Sequence, residues 1–110
     1  MRPKAALTED PNGATMKRRR ILVTGASGMT ASYVPAVFND CDLILTDRVD
    51  GAMRLDICDA SRVNDVVAYA KPDVILHLAA ATDVDRCEQE PEWAHRVNVV
   101  GTENLVRACR

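Results

Sequence analysis

The stretch Ile21-Leu22-Val23-Thr24-Gly25-Ala26-Ser27-Gly28-Met29-Thr30-Ala31 decides the fold. Its first three residues are a continuous apolar run that stops at Thr24-Gly25, the pattern of a strand buried on both faces. Beyond Gly28, the residues Met29, Val34, Val37 and Phe38 recur at helical spacing, and Asn39-Asp40 supplies a stop. Strand, glycine turn and helix in immediate succession form the setting that a phosphate-binding turn needs. Gly25 permits the tight turn, and Gly28 lets backbone come close to a pyrophosphate. Ser27, Met29 and Thr30 complete the turn, where the helix start offers free N–H groups and a partial positive charge. The third small position is Ala31, which still leaves room for helix against strand. An ordinary glycine-containing turn could carry the same residues, so the turn alone does not settle its use. Pro35 lies inside the helix, where it removes a backbone hydrogen bond at a cost of roughly 3 kcal/mol unless a kink relieves it.

The same alternation continues outward. Leu43-Ile44-Leu45 is a second buried strand, closing on Thr46-Asp47-Arg48, and Met53 to Ile57 adds a short third one. Asp59 or Ser61 can cap a helix through Val63, Val66, Val67 and Tyr69, which Lys71-Pro72-Asp73 ends. Val74 to Leu78 is the next strand, running into the small residues Ala79 to Ala81. After Pro91 a final helix carries Trp93, Val97, Val100, Leu105 and Val106 and is still running at Cys109-Arg110. A βαβ series with right-handed crossovers leaves an α/β, Rossmann-like doubly wound parallel sheet, here its N-terminal, incomplete part. Residues 20–110 read as that one domain. Residues 1–19, with Pro3, Pro11, Gly13 and scattered charges but no apolar period, read as a flexible extension, and Met16 is an alternative start.

Composition narrows the partners. At 110 residues, with 47% apolar and 27% charged residues, the chain has the balance of one globular domain. Aromatic content of 4% means a core of Val, Ile, Leu and Ala, which suits parallel strands covered on both faces. A net charge of −2 gives no reason to expect nucleic acid, and the one basic run, Lys17 to Arg20, reads as a solubilising flank. No apolar stretch approaches the roughly 20 residues that cross a bilayer, so no membrane partner is expected. The first fifteen residues lack the apolar core of a secretory signal. Cysteines 41, 58, 87 and 109 form no C-x-x-C pair, so we expect reduced thiols, no metal and a cytoplasmic protein.

Asp47 falls at the end of the second strand, 22 residues after Gly25, where an acid can accept hydrogen bonds from ribose hydroxyls. A carboxylate there repels a 2′-phosphate and favours NAD; the adjacent Arg48 could pair with that phosphate and leaves NADP open. A plain turn aspartate is the bland alternative.

Five segments together carry a resemblance. They are Val-Thr-Gly-Ala-Ser-Gly-Met at 23–29, Asp47-Arg48, Leu-Asp-Ile-Cys-Asp at 55–59, Val-Ile-Leu-His-Leu-Ala-Ala at 74–80, and Val-Asn-Val-Val-Gly-Thr-Glu-Asn-Leu at 97–105. The set resembles the extended short-chain dehydrogenase/reductases, which include the NAD-dependent epimerase/dehydratases, over residues 20–110. Ala-Thr-Asp-Val-Asp-Arg-Cys-Glu at 81–88, followed by Glu-Pro-Glu, is similar to the dTDP-4-dehydrorhamnose reductase branch.

The resemblance implies that Met29 and Thr30 touch the pyrophosphate and that Asp47 and Arg48 hold the adenosine ribose. It implies adenine contacts from Asp56, by hydrogen bonding, and Ile57, by apolar contact. Leu78, Ala79, Ala80, Ala81 and Thr82 would line the cofactor beneath the nicotinamide ribose, and Asn98 would reach it from the last helix. Taken singly, Asp56 and Asp59 could be caps, Ala79 to Ala81 packing, and Asn98 a satisfied amide. His77 reads as a packed strand histidine to which the resemblance gives no chemical role, His95 as a surface residue, and Trp93 as helix packing or a partner contact.

The resemblance also implies a Tyr-x-x-x-Lys pair, in which lysine lowers the tyrosine pKa for proton transfer. Lysines stand only at 4, 17 and 71, and none follows a tyrosine by four, so these residues offer no catalytic group. The expected function is therefore the dinucleotide-binding part of an NAD(P)-dependent oxidoreductase acting on a nucleotide-linked sugar, as a 4-keto reductase or an epimerase/dehydratase, inactive by itself. A nonenzymatic dinucleotide-sensing module of the same fold, or an inactive fragment, is the alternative. The family often pairs as homodimers through helices of this domain.

Overall fold

The computed structural model describes residues 7–9, 15–49 and 51–110. Four parallel strands form the central sheet: β3 (Arg20–Thr24), β4 (Asp42–Asp47), β5 (Met53–Arg54) and β6 (Val74–His77), in the order β5-β4-β3-β6. The central strand β3 is buried along its whole length, as its apolar run requires. Alternate residues of β3 serve two cores. Leu22 packs with Leu55, Val63, Val66 and Leu105 beneath α2 (Ala60–Ala70) and α5 (Gly101–Ala108), while Ile21 and Val23 pack with Val34 on the opposite face. Helices on both faces of a parallel sheet are the doubly wound arrangement expected from the sequence.

Several boundaries differ from the sequence reading, each for a local reason. The helix after the glycine turn is split into a 3-10 turn, Thr30–Tyr33, and a short α1, Val34–Val37, with Pro35 in the first turn of α1. Proline has no N–H to give the preceding turn, and this position tolerates the loss. The strand at 53–57 pairs only over Met53–Arg54; Leu55 and Ile57 turn inward and are buried. Asp59, not Ser61, caps α2, accepting the Arg62 N–H at 3.1 Å, and Lys71 ends it with φ +46°.

Three elements had no apolar period to announce them. Helix α3 (Val84–Gln89) buries none of its residues and starts at Asp83, whose carboxylate takes the Arg86 N–H at 3.0 Å. Leu7–Glu9 (β1) and Thr15–Lys17 (β2), inside the segment expected to be a flexible extension, pair antiparallel as a separate two-stranded ladder; the expectation for the rest of 1–19 falls largely outside the described residues. The last helical region consists of α4 (Pro91–His95), a π-helical stretch at Arg96–Val100, and α5, which ends at Ala108, short of the expected Cys109-Arg110. No helix among the described residues is long and apolar enough to cross a membrane. All four cysteines are free, and no metal-binding cluster occurs among the described residues.

Candidate functional site

A cavity of about 380 Å³ opens where the carboxyl ends of β3, β4 and β6 meet the turns that follow them. Open parallel sheets present their ligand crevice at this edge. Gly25, Gly28, Met29 and Thr30 line it from the first turn, Asp47 and Arg48 from the end of β4, Asp56 and Ile57 from the next loop, and Leu78, Ala79, Ala80 and Thr82 from beyond β6. Three expected residues lie outside this lining. Ser27 is exposed on the turn, Ala81 is buried, and Asn98 sits in the π-helical stretch. Thr24, Ala31, Leu55, Trp93 and Val97 line the cavity without having been singled out as cofactor contacts.

The first turn is pressed against the segment after β6. Gly25 has φ +68°, and a Cβ there would come 2.7 Å from the Ala79 nitrogen, so only glycine fits both the backbone and the space. Three N–H groups of the turn are used internally: Ala26 donates to the Thr46 carbonyl at 3.0 Å, Ser27 to Asp47 Oδ2 at 2.9 Å and Gly28 to the Gly25 carbonyl at 3.0 Å. Asp47 Oδ1 also accepts the Arg48 N–H at 2.6 Å, which fixes the carboxylate on the rim. Asp56 Oδ1 accepts the Cys58 N–H at 2.9 Å, so it shapes its own turn as well as lining the cavity. Burial first, then the Asp56 charge and hydrogen bond, raise the Cys58 thiol above its ordinary value and keep it protonated.

Beneath the opening, Thr24 Oγ1 accepts the Leu78 and Ala79 N–H groups at 3.1 and 3.2 Å and lies 2.6 Å from His77 Nδ1. The other imidazole nitrogen is 3.0 Å from Thr102 Oγ1. Burial lowers the His77 pKa below its ordinary value. Asn98 binds the Ala81 backbone on both sides, accepting its N–H at 2.7 Å and donating to its carbonyl at 3.2 Å. This amide therefore holds the floor of the cavity in place. Gly101 starts α5 so close to Ile57 that a Cβ would lie 2.6 Å from Ile57 Cδ1. Trp93 is held by the Arg86 guanidinium, 3.6 Å from the ring centroid, and Arg86 is paired with Glu90 at 2.8 Å.

Known proteins resemble this chain in sequence and in fold. A family model described as the RmlD substrate binding domain matches residues 19–110. The chain is 40% identical over 94 residues to dTDP-4-dehydrorhamnose reductase of Mycolicibacterium smegmatis, covering 83% of this chain and 27% of that protein. It is 33% identical over 116 residues to dTDP-glucose 4,6-dehydratase of Neisseria gonorrhoeae, covering 87% of this chain and 34% of that protein. Among solved structures, dTDP-4-dehydrorhamnose reductase from Bacillus anthracis in complex with NADP superposes with a TM-score of 0.78 at 31% identity, over 86% of this chain and 33% of that one. The chain thus spans about a third of the length of these relatives. With residues 19–110 matched and the parallel sheet in place, the chain belongs to the RmlD substrate binding domain family, within the extended short-chain dehydrogenase/reductases.

Proposed function

We propose that residues 20–110 are the dinucleotide-binding part of an NAD(P)-dependent oxidoreductase whose substrate is a nucleotide-linked sugar. The observation that carries this reading is that one cavity gathers the glycine turn, the Asp47 carboxylate and the Leu78–Thr82 segment. Those groups fit the parts of a nicotinamide dinucleotide. Because Ala26, Ser27 and Gly28 spend their N–H groups internally, the donors for a pyrophosphate are those of Met29 and Thr30, at the start of the helical turn. Asp47, on the rim, suits a vicinal diol, and Asp56 with Ile57 suits an adenine edge and face. Ala79 and Ala80 leave space for backbone to approach a ribose.

The cofactor, when bound, supplies the hydride. The residues of this chain bind and orient it and exclude water from one side. Asp47 favours NAD, while Arg48 beside it is the side chain that could accept NADP. The resemblance to 4-keto reductases and dehydratases points to a nucleotide sugar as the other reactant. Proton transfer belongs to the whole protein, since none of the 110 residues completes a Tyr-x-x-x-Lys pair. Calorimetric titration with NADH and with NADPH tests the reading: one saturable site with NADH the tighter ligand is expected. Absence of heat saturation with both would sink it.

A further inference from the structure

One chain of hydrogen bonds runs beneath the cavity through three elements far apart in sequence. It starts at the Leu78 and Ala79 N–H groups, passes through Thr24 Oγ1, His77 and Thr102 Oγ1, and reaches the Asn98 carbonyl, which accepts from Thr102 at 2.8 Å. The positions of its protons follow from counting. A threonine hydroxyl has one proton and two acceptor sites. At Thr24 the oxygen accepts the Ala79 N–H and shares the Leu78 N–H with the Thr24 carbonyl, which leaves its own proton to point at His77 Nδ1 at 2.6 Å. At Thr102 the proton goes to the Asn98 carbonyl, which can only accept, so the oxygen receives the N–H of His77 Nε2 at 3.0 Å.

His77 is accordingly a neutral imidazole protonated on Nε2. An imidazolium would bring a further N–H to a Thr24 oxygen that already accepts the Ala79 amide and shares the Leu78 amide. Burial of the ring disfavours the cation as well.

We infer that His77 is a positioning residue: as the Nε2–H tautomer it orients the hydroxyls of Thr24 and Thr102, which hold Leu78 and Ala79 and the helical stretch carrying Asn98. Asn98 in turn grips Ala81 from both sides. The cavity floor is thereby fixed to β3 at one end and to the last helical region at the other. Its consequence for cofactor affinity rests on the dinucleotide reading above; the tautomer and the rigidity of the floor do not.

The chain has two histidines, so His95→Gln leaves His77 as the only imidazole to observe. In nitrogen-resolved NMR near neutral pH, Nδ1 is expected to be bare and Nε2 protonated. Thr102→Val, which keeps the shape but removes the hydroxyl, should speed amide exchange at Ala79 and Ala81 by about tenfold, the scale of one lost hydrogen bond. Leu22 and Val23 should exchange as before, and Thr102→Ser should restore the slow rates. The dissociation constant for NADH should rise by a similar factor in the valine variant and recover in the serine one. A proton on Nδ1, an imidazolium at neutral pH, or unchanged exchange at Ala79 and Ala81 in Thr102→Val would overturn the inference. If tautomer and exchange behave as stated while the parent protein takes up no NADH, the dinucleotide reading falls and the positioning role stands.

Discussion

The Asp47 carboxylate accepts the Ser27 N–H at 2.9 Å, tying the end of β4 to the glycine turn across 20 residues of sequence. The carboxylate is thus oriented by the protein before any ligand arrives, and preorganisation of this kind lowers the cost of binding. It also explains why Ser27, expected among the cofactor contacts, lies outside the cavity lining: its amide serves Asp47.

Asp47→Asn keeps an acceptor but removes the charge that repels a 2′-phosphate. NADH affinity should fall by about tenfold, the scale of one charge-assisted hydrogen bond, and NADPH affinity should fall less or rise. Fluorescence titration with both nucleotides reads the change in preference. An unaltered NADH to NADPH ratio would remove Asp47 from the ribose site.

Two glycines with positive φ separate strain from crowding. Gly51 has φ +100° with no atom within 4 Å of where a Cβ would stand, so Gly51→Ala should cost only backbone strain, about 1 kcal/mol. Gly25→Ala adds a Cβ against the Ala79 backbone at 2.7 Å and should cost at least about 3 kcal/mol. Urea unfolding of the two variants compares them directly; equal losses would contradict the tight packing at Gly25.

Burial puts the folded His77 pKa below its ordinary 6.5. The unfolded ring therefore takes up a proton first, so the stability that the neutral ring contributes is complete above 6.5 and is lost as pH falls below it. His77→Gln removes this dependence. Urea midpoints at about pH 7.5 and about pH 5.5 should show the gap between parent and variant narrowing on acidification. A gap that widens would mean that the folded protein favours the imidazolium.

Arg20 is 6% exposed at the start of β3, and its Nε and Nη2 find no hydrogen-bond partner among the described residues. A buried cation with two of its guanidinium nitrogens unpaired carries a desolvation cost that a well-packed apolar side chain of similar length does not. Arg20→Met should therefore raise stability by about 1 kcal/mol, read as a shift of the urea midpoint. A loss of comparable size would show that the guanidinium is stabilised where it lies.

The sheet was legible because its signals are local. Ile21-Leu22-Val23, Leu43-Ile44-Leu45 and Val74 to Leu76 are short apolar runs ending at turn residues, and they pair side by side as parallel strands. Asp47 was legible for the same reason, standing at a strand end a fixed distance beyond the glycine turn. Helix α3 was not, because a helix that buries none of its residues writes no apolar period. The π-helical stretch was not legible either, since Arg96–Val100 holds no proline or glycine to announce it. Trp93 reads as helix packing or a partner contact and Val97 as part of an apolar helix face, and only the approach of that helical region to the segment after β6 makes them walls of the cavity. His77 looked like a packed strand histidine, since its two hydroxyl partners lie 53 and 25 residues away.

Amide NMR spectra of this chain recorded as NADH is added show directly which residues the dinucleotide touches. Saturable shifts are expected at Gly28, Met29, Thr30, Asp47, Arg48, Asp56 and the Leu78–Thr82 segment, with α2 unmoved. Shifts that never saturate, or that gather on α2 instead, would contradict the dinucleotide reading.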